Sequence, residues 1–149
     1  MDDKVLGQLD WVVASIHGNF KMPREEMTSR LLRAIENPHV RLLAHPTARK
    51  LLKRDPIDFD IDKVFRAAAE NGVALEVSAS VDRMDLNDVL CKRAKDLGCK
   101  LIINADAHNP GELDYVYGIT QAQRGWLTIA DVLNALPLKK FEAWLGKGR

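Results

Sequence analysis

An aspartate and a histidine stand two residues apart after the apolar run Leu101-Ile102-Ile103. The run follows a glycine turn, and its β-branched content predicts a buried strand. Asp106 and His108 would then lie at the carboxyl end of that strand, where ligands bind in parallel α/β sheets. The alternative is that Asp106 caps a turn and His108 is an ordinary surface histidine.

Two more histidines occupy equivalent positions earlier in the chain. His17 follows the apolar run 11–15, and His45 ends the run 40–44. Pro46 disfavours the helical region for His45, so this histidine ends a strand and begins a loop. If the runs are neighbouring parallel strands, both imidazoles lie at the same edge of the sheet as the first pair.

A cluster of imidazoles and carboxylates has a defined chemistry. Neutral histidines and carboxylates suit Zn²⁺, Mn²⁺ or Fe²⁺, and such ions lower the pKa of bound water to about 7. The resulting hydroxide can attack a phosphorus or carbonyl centre. A lone histidine at a strand end is more often structural, but three such histidines with a carboxylate favour a metal site. The expected ligands are His17, His45, Asp106 and His108, and Glu76 in the third apolar run is a further carboxylate to consider.

The elements that would position these residues alternate along the chain. Helices are expected after Pro23, from an Asp60 N-cap to Gly72, and from an Asp85 cap to Gly98. Strands are expected at 11–15, 40–44 and 73–77 and from residue 101. The order βαβαβαβ predicts an α/β fold with a parallel sheet covered on both faces and right-handed crossovers.

The carboxyl-terminal end is expected to be helical. Thr128 to Asp131 resembles a capping box before an apolar stripe, and Pro137 separates that helix from a last one through Phe141, Trp144 and Leu145. Residues 146–149 are expected to be loose.

Composition limits the classes of protein that fit. A chain of 149 residues with 46% hydrophobic content is sufficient for one domain. The net charge of +1 gives no overall argument for nucleic acid or membrane as a partner. No segment has the length of a membrane span and the amino terminus carries no targeting pattern, so a cytoplasmic protein is expected. Cys91 and Cys99 are expected to be reduced packing residues.

Four segments together resemble a known family. The chain is similar to the carboxyl-terminal part of the polymerase and histidinol phosphatase (PHP) domain, in the version found in bacterial and archaeal family X DNA polymerases. The similar segments are Ala14-Ser15-Ile16-His17, Leu43-Ala44-His45-Pro46-Thr47 with Arg49, Asn104-Ala105-Asp106-Ala107-His108 and Gln123-Arg124-Gly125-Trp126-Leu127, and Arg83 to Asp88 and Asp131 to Asn134 fit the same pattern.

The resemblance implies part of a distorted β/α barrel that holds up to three divalent metals and hydrolyses phosphoesters. His17 and His45 would bind one metal, Asp106 a second and His108 a third. In family X polymerases the site is associated with manganese-dependent 3′-5′ exonuclease activity on DNA ends and with DNA repair. The alternatives are a catalytically inactive structural or interaction module, and a small-molecule phosphatase of the histidinol-phosphate branch, against which the Arg-Gly-Trp ending argues.

The chain departs from the family pattern in two ways. A complete PHP domain has upstream His-x-His, His and Glu ligands, so residues 1–149 are expected to be a single partial domain with fewer metals. It is expected to be part of an enzyme when the domain is complete and to be inactive alone. The missing half of the domain, the polymerase core or a second copy of the chain are the expected protein partners, since a half barrel has open sheet edges. Ala48, Ser78, Val81 and Ala105 replace residues usual in the family, a loss expected to loosen the ligands.

A basic run follows His45. Arg49, Lys50, Lys53 and Arg54 place four cations within six positions. They are expected to bind the phosphate backbone at a DNA end, with salt-dependent affinity. The alternative is a solvated face of an amphipathic helix.

Overall fold

The computed structural model describes residues 2–146. Of the expected loose terminus 146–149, Gly146 instead belongs to the last helix and residues 147–149 lie outside the described residues. Four parallel strands form one sheet in the order β1-β2-β3-β4, which confirms the α/β fold with alternating βα units. The strands are β1 (Val12–Ala14), β2 (Val40–Leu43), β3 (Ala74–Ser78) and β4 (Leu101–Asn104). The α-helices are α1 (Asp3–Leu6), α2 (Arg24–Ile35), α3 (Ile61–Glu70), α4 (Asp88–Asp96), α5 (Val116–Arg124) and α6 (Leu138–Gly146), with 3-10 helices at Pro110–Glu112 and Leu133–Ala135.

The core explains why these apolar runs become strands. All five residues of β3 are buried, as expected for a central parallel strand covered on both faces. Each strand pairs with the next strand along the chain, for example Val12 with Val40 and Leu75 with Leu101. The carboxyl ends of all four strands therefore lie along one edge of the sheet.

The crossover helices pack on one face of the sheet. The larger core cluster contains buried residues from α2, α3, α4 and α5, including Leu31, Phe65 and Cys91. A smaller cluster on the other face joins sheet residues such as Ile102 to Phe141 in the carboxyl-terminal segment. Sequential strand order with crossover helices on one face is the arrangement of a β/α barrel rather than of a doubly wound sheet.

The start of α4 differs from the expectation. Asn87 caps this helix and accepts a hydrogen bond from the backbone N–H of Leu90 at 2.8 Å. Asp85, expected as the cap, is fully buried and accepts a hydrogen bond from the backbone N–H of Thr47 at 2.9 Å. Its carboxylate therefore connects the loops after β2 and β3 instead of capping the helix.

The expected helix after Thr128 is also wrong, although its side-chain contacts form. The backbone N–H and the hydroxyl of Thr128 both donate to Oδ2 of Asp131 at 2.8 Å. The next backbone groups pair with the sheet instead, because Leu101 N donates to Asp131 O at 2.9 Å and Val132 forms a parallel bridge with Leu101. This pairing with β4 leaves only a short 3-10 helix before Pro137.

Helix α5 was not expected from the sequence. Gly118 brings it against the sheet so closely that an added Cβ would lie 2.6 Å from Ile103 Cγ2 and 2.9 Å from Ala79 Cβ. Because the helix contacts the sheet through its backbone at this glycine, few large apolar side chains mark its buried face.

Candidate metal centre

Two of the predicted ligands meet at the carboxyl ends of β1 and β2. Nε2 of His17 lies 3.3 Å from Nε2 of His45, and the two rings stack with centroids 5.3 Å apart. Two nitrogens bound about 2.1 Å from one tetrahedral ion are roughly 3.4 Å apart. The spacing therefore fits two ligands of a shared metal, and Ser15 Oγ, 3.1 Å from the same His17 nitrogen, is the nearest polar neighbour.

The position of His45 depends on the carboxylate of Glu76. The backbone N–H of His45 donates to Glu76 Oε2 at 2.6 Å, and Asn104 Nδ2 donates to Oε1 at 3.2 Å. Burial raises the pKa of Glu76 to about 7, against the opposing effect of these two hydrogen bonds. Both carboxylate oxygens accept from protein donors, so the structure gives Glu76 a supporting position beneath the histidine pair.

The imidazole of His45 has the protonation state that a metal ligand requires. Burial, followed by the charge of Arg83, lowers the pKa of His45 to about 4, so the ring is neutral at pH 7. Its Nδ1 atom is buried without a hydrogen-bond partner. Metal-binding histidines usually donate a hydrogen bond from the ring nitrogen that does not bind the metal, and this bond fixes the orientation of the ring. His45 makes no such bond from Nδ1 within the described residues.

Asp106 lies at the same edge of the sheet but pairs with a cation. Its Oδ2 is 3.4 Å from Nε of Arg83, a residue that the sequence analysis did not select as part of the site. His45 and Asp106 also both have left-handed backbone φ values, 32° and 56°. Such conformations in residues other than glycine are uncommon and cluster at functional sites.

His108 does not join the histidine pair. Its ring Nδ1 lies 2.8 Å from the backbone carbonyl of Asp106, and its backbone N–H donates to Glu112 at 2.7 Å. The side chain is 81% exposed. The expectation that three histidines converge is therefore corrected to two, since His108 turns back onto its own loop.

The basic run forms a turn rather than a helix. Lys50 and Arg54 form an antiparallel bridge, so the expected alternative of a solvated helix face is wrong. Arg49 donates to the backbone carbonyls of Arg83 and Met84, and its Nε to Arg83 O distance is 2.7 Å.

The other cations of this run differ in how far they are engaged. Lys50 pairs with Asp82 at 2.9 Å. Arg54 donates to Ala48 O and lies 3.8 Å over the Phe20 ring. Within residues 2–146, the Lys53 side chain has no hydrogen-bond or ion-pair partner. Three of the four cations thus stabilise the loops of the site.

The residues that sequence reasoning missed are Arg83, Thr47 and Asp85. They form a buried polar group behind the histidines, with Thr47 joined to Asp85 and Arg83 to Asp106. The signal for Arg83 and Asp85 was a cluster of charges in the loop before α4, which local pattern alone assigned to helix capping, whereas Thr47 lies in the loop after β2 and carries no charge.

Across residues 2–146, no group of three or more histidine, cysteine, aspartate or glutamate side chains is arranged to hold a metal ion. The His17–His45 pair alone supplies two adjacent nitrogens. The described residues also contain no helix long and apolar enough to cross a membrane.

Comparison with known proteins relates the chain to two kinds of enzyme. It is 41% identical over 145 residues to the DNA polymerase/3'-5' exonuclease PolX of Bacillus subtilis, covering 97% of this chain and 25% of that protein. A probable phosphatase of Caldanaerobacter subterraneus is 31% identical over 118 residues, and one of Acetivibrio thermocellus is 30% identical over 131 residues. These alignments cover 72% and 81% of this chain and 44% and 52% of the phosphatases.

The chain therefore spans between a quarter and about half of the length of these relatives. No family model matches the sequence.

Proposed function

Because this chain belongs to the PHP family, in the form found in family X DNA polymerases, we propose that it is a metal-binding portion of a phosphoesterase domain acting on DNA ends. The relatives support a PHP-type phosphoesterase portion. The metal, the DNA substrate and the partner are the parts that we propose.

The pairing of His17 with His45 carries this proposal. The two Nε2 atoms face each other at the spacing of two ligands on one ion, and they come from adjacent strand ends. A neutral His45 ring offers a lone pair without first losing a proton. In an ordinary pair of surface histidines, neither ring would need to be buried and neither backbone N–H would need to be held by a carboxylate from the next strand.

The residues divide the chemistry between them. A bound divalent ion supplies a hydroxide at neutral pH by lowering the pKa of its water. His17 and His45 would hold that ion, while Glu76 fixes the loop that presents His45. Arg83 and Asp106 place a cation and an anion beside the pair, where the guanidinium favours the approach of a phosphate.

Metal content tests this proposal. Protein purified without added metal should contain zinc, manganese or iron by elemental mass spectrometry, and His45→Ala should lose it. His39→Ala is the matched control, because His39 precedes β2 and lies at the opposite edge of the sheet. A folded, metal-free wild-type protein that stays metal-free in the presence of Mn²⁺ would overturn the proposal.

The substrate is proposed from the polymerase relative, and the phosphatase relatives supply the competing class. Metal-loaded protein, supplied with the rest of the domain, should release nucleotides from a 3′-labelled oligonucleotide faster than it hydrolyses p-nitrophenyl phosphate at equal concentration. The reverse preference would favour a small-molecule phosphatase.

The open edge of β1 points to the proposed partner. No strand within the described residues pairs with the outer side of Val12–Ala14, and Val13 is 47% exposed. Unpaired strand edges pair readily with other chains. We propose that this edge binds the remaining strands of a PHP domain, or a second copy of the chain when they are absent.

Light scattering tests the partner. The chain alone should be dimeric at high micromolar concentration, and adding the separately produced other half of a PHP domain should replace the dimer by a heterodimer. Val13→Lys should weaken both, while Val89→Lys, the same change at a more exposed position on α4, should not. A wild-type protein that stays monomeric with and without the other half contradicts the proposal.

A non-catalytic interaction module is the second candidate. It is favoured by the orientation of His108 into its own loop and by the pairing of Asp106 with Arg83, since both leave the histidine pair with few further ligands. A stably folded protein that binds no metal yet still binds the other half of the domain would support this candidate.

A further inference from the structure

Asp106, expected from the family to hold a second metal, already has a cationic partner. Oδ2 of Asp106 and Nε of Arg83 are 3.4 Å apart, and the two side chains are 35% and 12% exposed. A metal ion on this carboxylate would therefore have to share it with a largely buried guanidinium.

The backbone around Arg83 is held at several points. Its N–H donates to Ser80 O at 2.9 Å within a turn, and its carbonyl accepts from Arg49 Nε at 2.7 Å. Its NH1 atom is buried without a hydrogen-bond partner. A buried charge requires an opposite charge nearby, and Asp106 is the carboxylate that the structure pairs with it.

The two halves of the site thus differ. The facing nitrogens of His17 and His45 contact each other, whereas the Asp106 carboxylate contacts the guanidinium of Arg83. His108, the ligand expected for a third metal, is exposed and bonded to its own loop.

We propose that Arg83 takes the place of a second metal ion at Asp106, so that the site holds one divalent ion, on His17 and His45. This inference rests on the proposed function for the ion itself. The guanidinium of an arginine stays protonated across the pH range in which proteins are folded. The Arg83–Asp106 ion pair therefore does not depend on the protonation state of Arg83. A fixed guanidinium would repel a divalent ion from the same carboxylate.

The surroundings of Asp106 show what removing that charge would expose. Asp106, Glu112 and Asp114 line one cleft of about 200 Å³ beside the sheet edge. Carboxylate oxygens suit Mn²⁺. Without the guanidinium, the Asp106 carboxylate would lose its cationic partner and could hold a second ion in this cleft, where Glu112 already accepts from the His108 N–H and Asp114 from the Val116 N–H.

Equilibrium dialysis of the full chain against Mn²⁺, with bound metal counted by elemental mass spectrometry, tests the inference. Wild-type protein should bind one equivalent, and Arg83→Gln should bind two. Arg83→Lys, which keeps the charge, should bind one. Asp106→Asn should also leave the wild-type count unchanged, and this variant provides the test if Arg83→Gln does not fold by circular dichroism.

Two results would overturn the inference. One is a wild-type protein with two or more equivalents that loses one in Asp106→Asn. The other is a folded Arg83→Gln protein with the wild-type count. Failure of the proposed function would give a different result from failure of this inference. A wild-type protein that binds no Mn²⁺ would rule out only the metal site on His17 and His45. In that case a gain of one ion in Arg83→Gln still supports the role of Arg83, and no gain refutes it.

Discussion

Glu76 accepts a hydrogen bond from the backbone N–H of His45 at 2.6 Å, so a buried carboxylate on β3 fixes the residue that ends β2. The same carboxylate accepts from Asn104 at the end of β4. One side chain in the middle of β3 thus joins the ends of β2 and β4, and the position of the histidine pair depends on it.

Replacing Glu76 should affect metal binding and stability together. Glu76→Ala leaves the buried N–H of His45 without an acceptor, which costs about 1–3 kcal/mol of unfolding free energy. Loss of the support should lower metal affinity about 10- to 100-fold. Urea unfolding and Mn²⁺ titration measure the two effects. Glu76→Gln, which keeps an acceptor oxygen, should be milder, and Glu70→Ala on the exposed side of α3 should change neither.

The buried carboxyl of Asp85 should make stability depend on pH. Burial raises its pKa to about 6 from an ordinary 3.8, so the folded protein binds this proton more tightly than the unfolded chain. The favourable contribution of the protonated Asp85 carboxyl to the free energy of unfolding is present below about pH 4 and is lost as pH rises to about 6.

Asp85→Asn should remove that dependence. Relative to wild type, the variant should gain unfolding free energy between pH 4 and pH 7, by at most about 3 kcal/mol. Urea unfolding at four pH values in this range measures the difference. A difference between the two proteins that is constant with pH would contradict the assignment to Asp85.

Arg49 and Lys53 should behave differently although both belong to the basic run. Arg49→Gln removes a donor to the carbonyls of Arg83 and Met84 and should cost about 1–3 kcal/mol of stability. Lys53→Gln should leave stability unchanged. If the turn contacts DNA, Lys53→Gln should reduce the slope of log affinity against log salt concentration by roughly 1. Fluorescence anisotropy with a labelled oligonucleotide at several salt concentrations measures the slope, and an unchanged slope would exclude a phosphate contact at Lys53.

Gly118 should not tolerate even a methyl group. Gly118→Ala would place a Cβ 2.6 Å from Ile103 Cγ2, so α5 must move away from the sheet. We expect a loss of about 1–3 kcal/mol despite the better helix propensity of alanine. Ile119→Ala, at an exposed position of the same helix, is the control. Thermal unfolding compares the two, and equal stabilities would show that the helix can shift without cost.

The sequence predicted the strands and their order well, because a buried parallel strand needs a short apolar run and the runs at β1 to β4 are separated by strong turn signals. It failed where tertiary contacts override local pattern. The capping contacts of Thr128 with Asp131 formed, but pairing of the next residues with Leu101 excluded a helix. Helix α5 was missed because Gly118 buries backbone instead of an apolar side chain.

The candidate site was predictable only in part for a related reason. Strand ends locate His17, His45 and Asp106 at one edge, and the structure places them there. A strand end does not fix the direction of a side chain in the loop that follows, and the His108 ring turned onto the backbone carbonyl of Asp106 in its own loop. The pairing of Arg83 with Asp106 also joins two loops, and no local pattern indicates it.

The sequential strand order also has a consequence for how the chain folds. Val12 pairs with Val40, Leu42 with Ala74 and Leu75 with Leu101, so each strand needs only the unit that follows it. Each pairing joins residues about thirty positions apart across a crossover helix, which costs less loop-closure entropy than pairing the first strand with the last, although parallel pairing forms more slowly than local helical structure. The sheet can therefore grow one βα unit at a time, and a chain carrying only part of a barrel can reach a native core without waiting for distant segments.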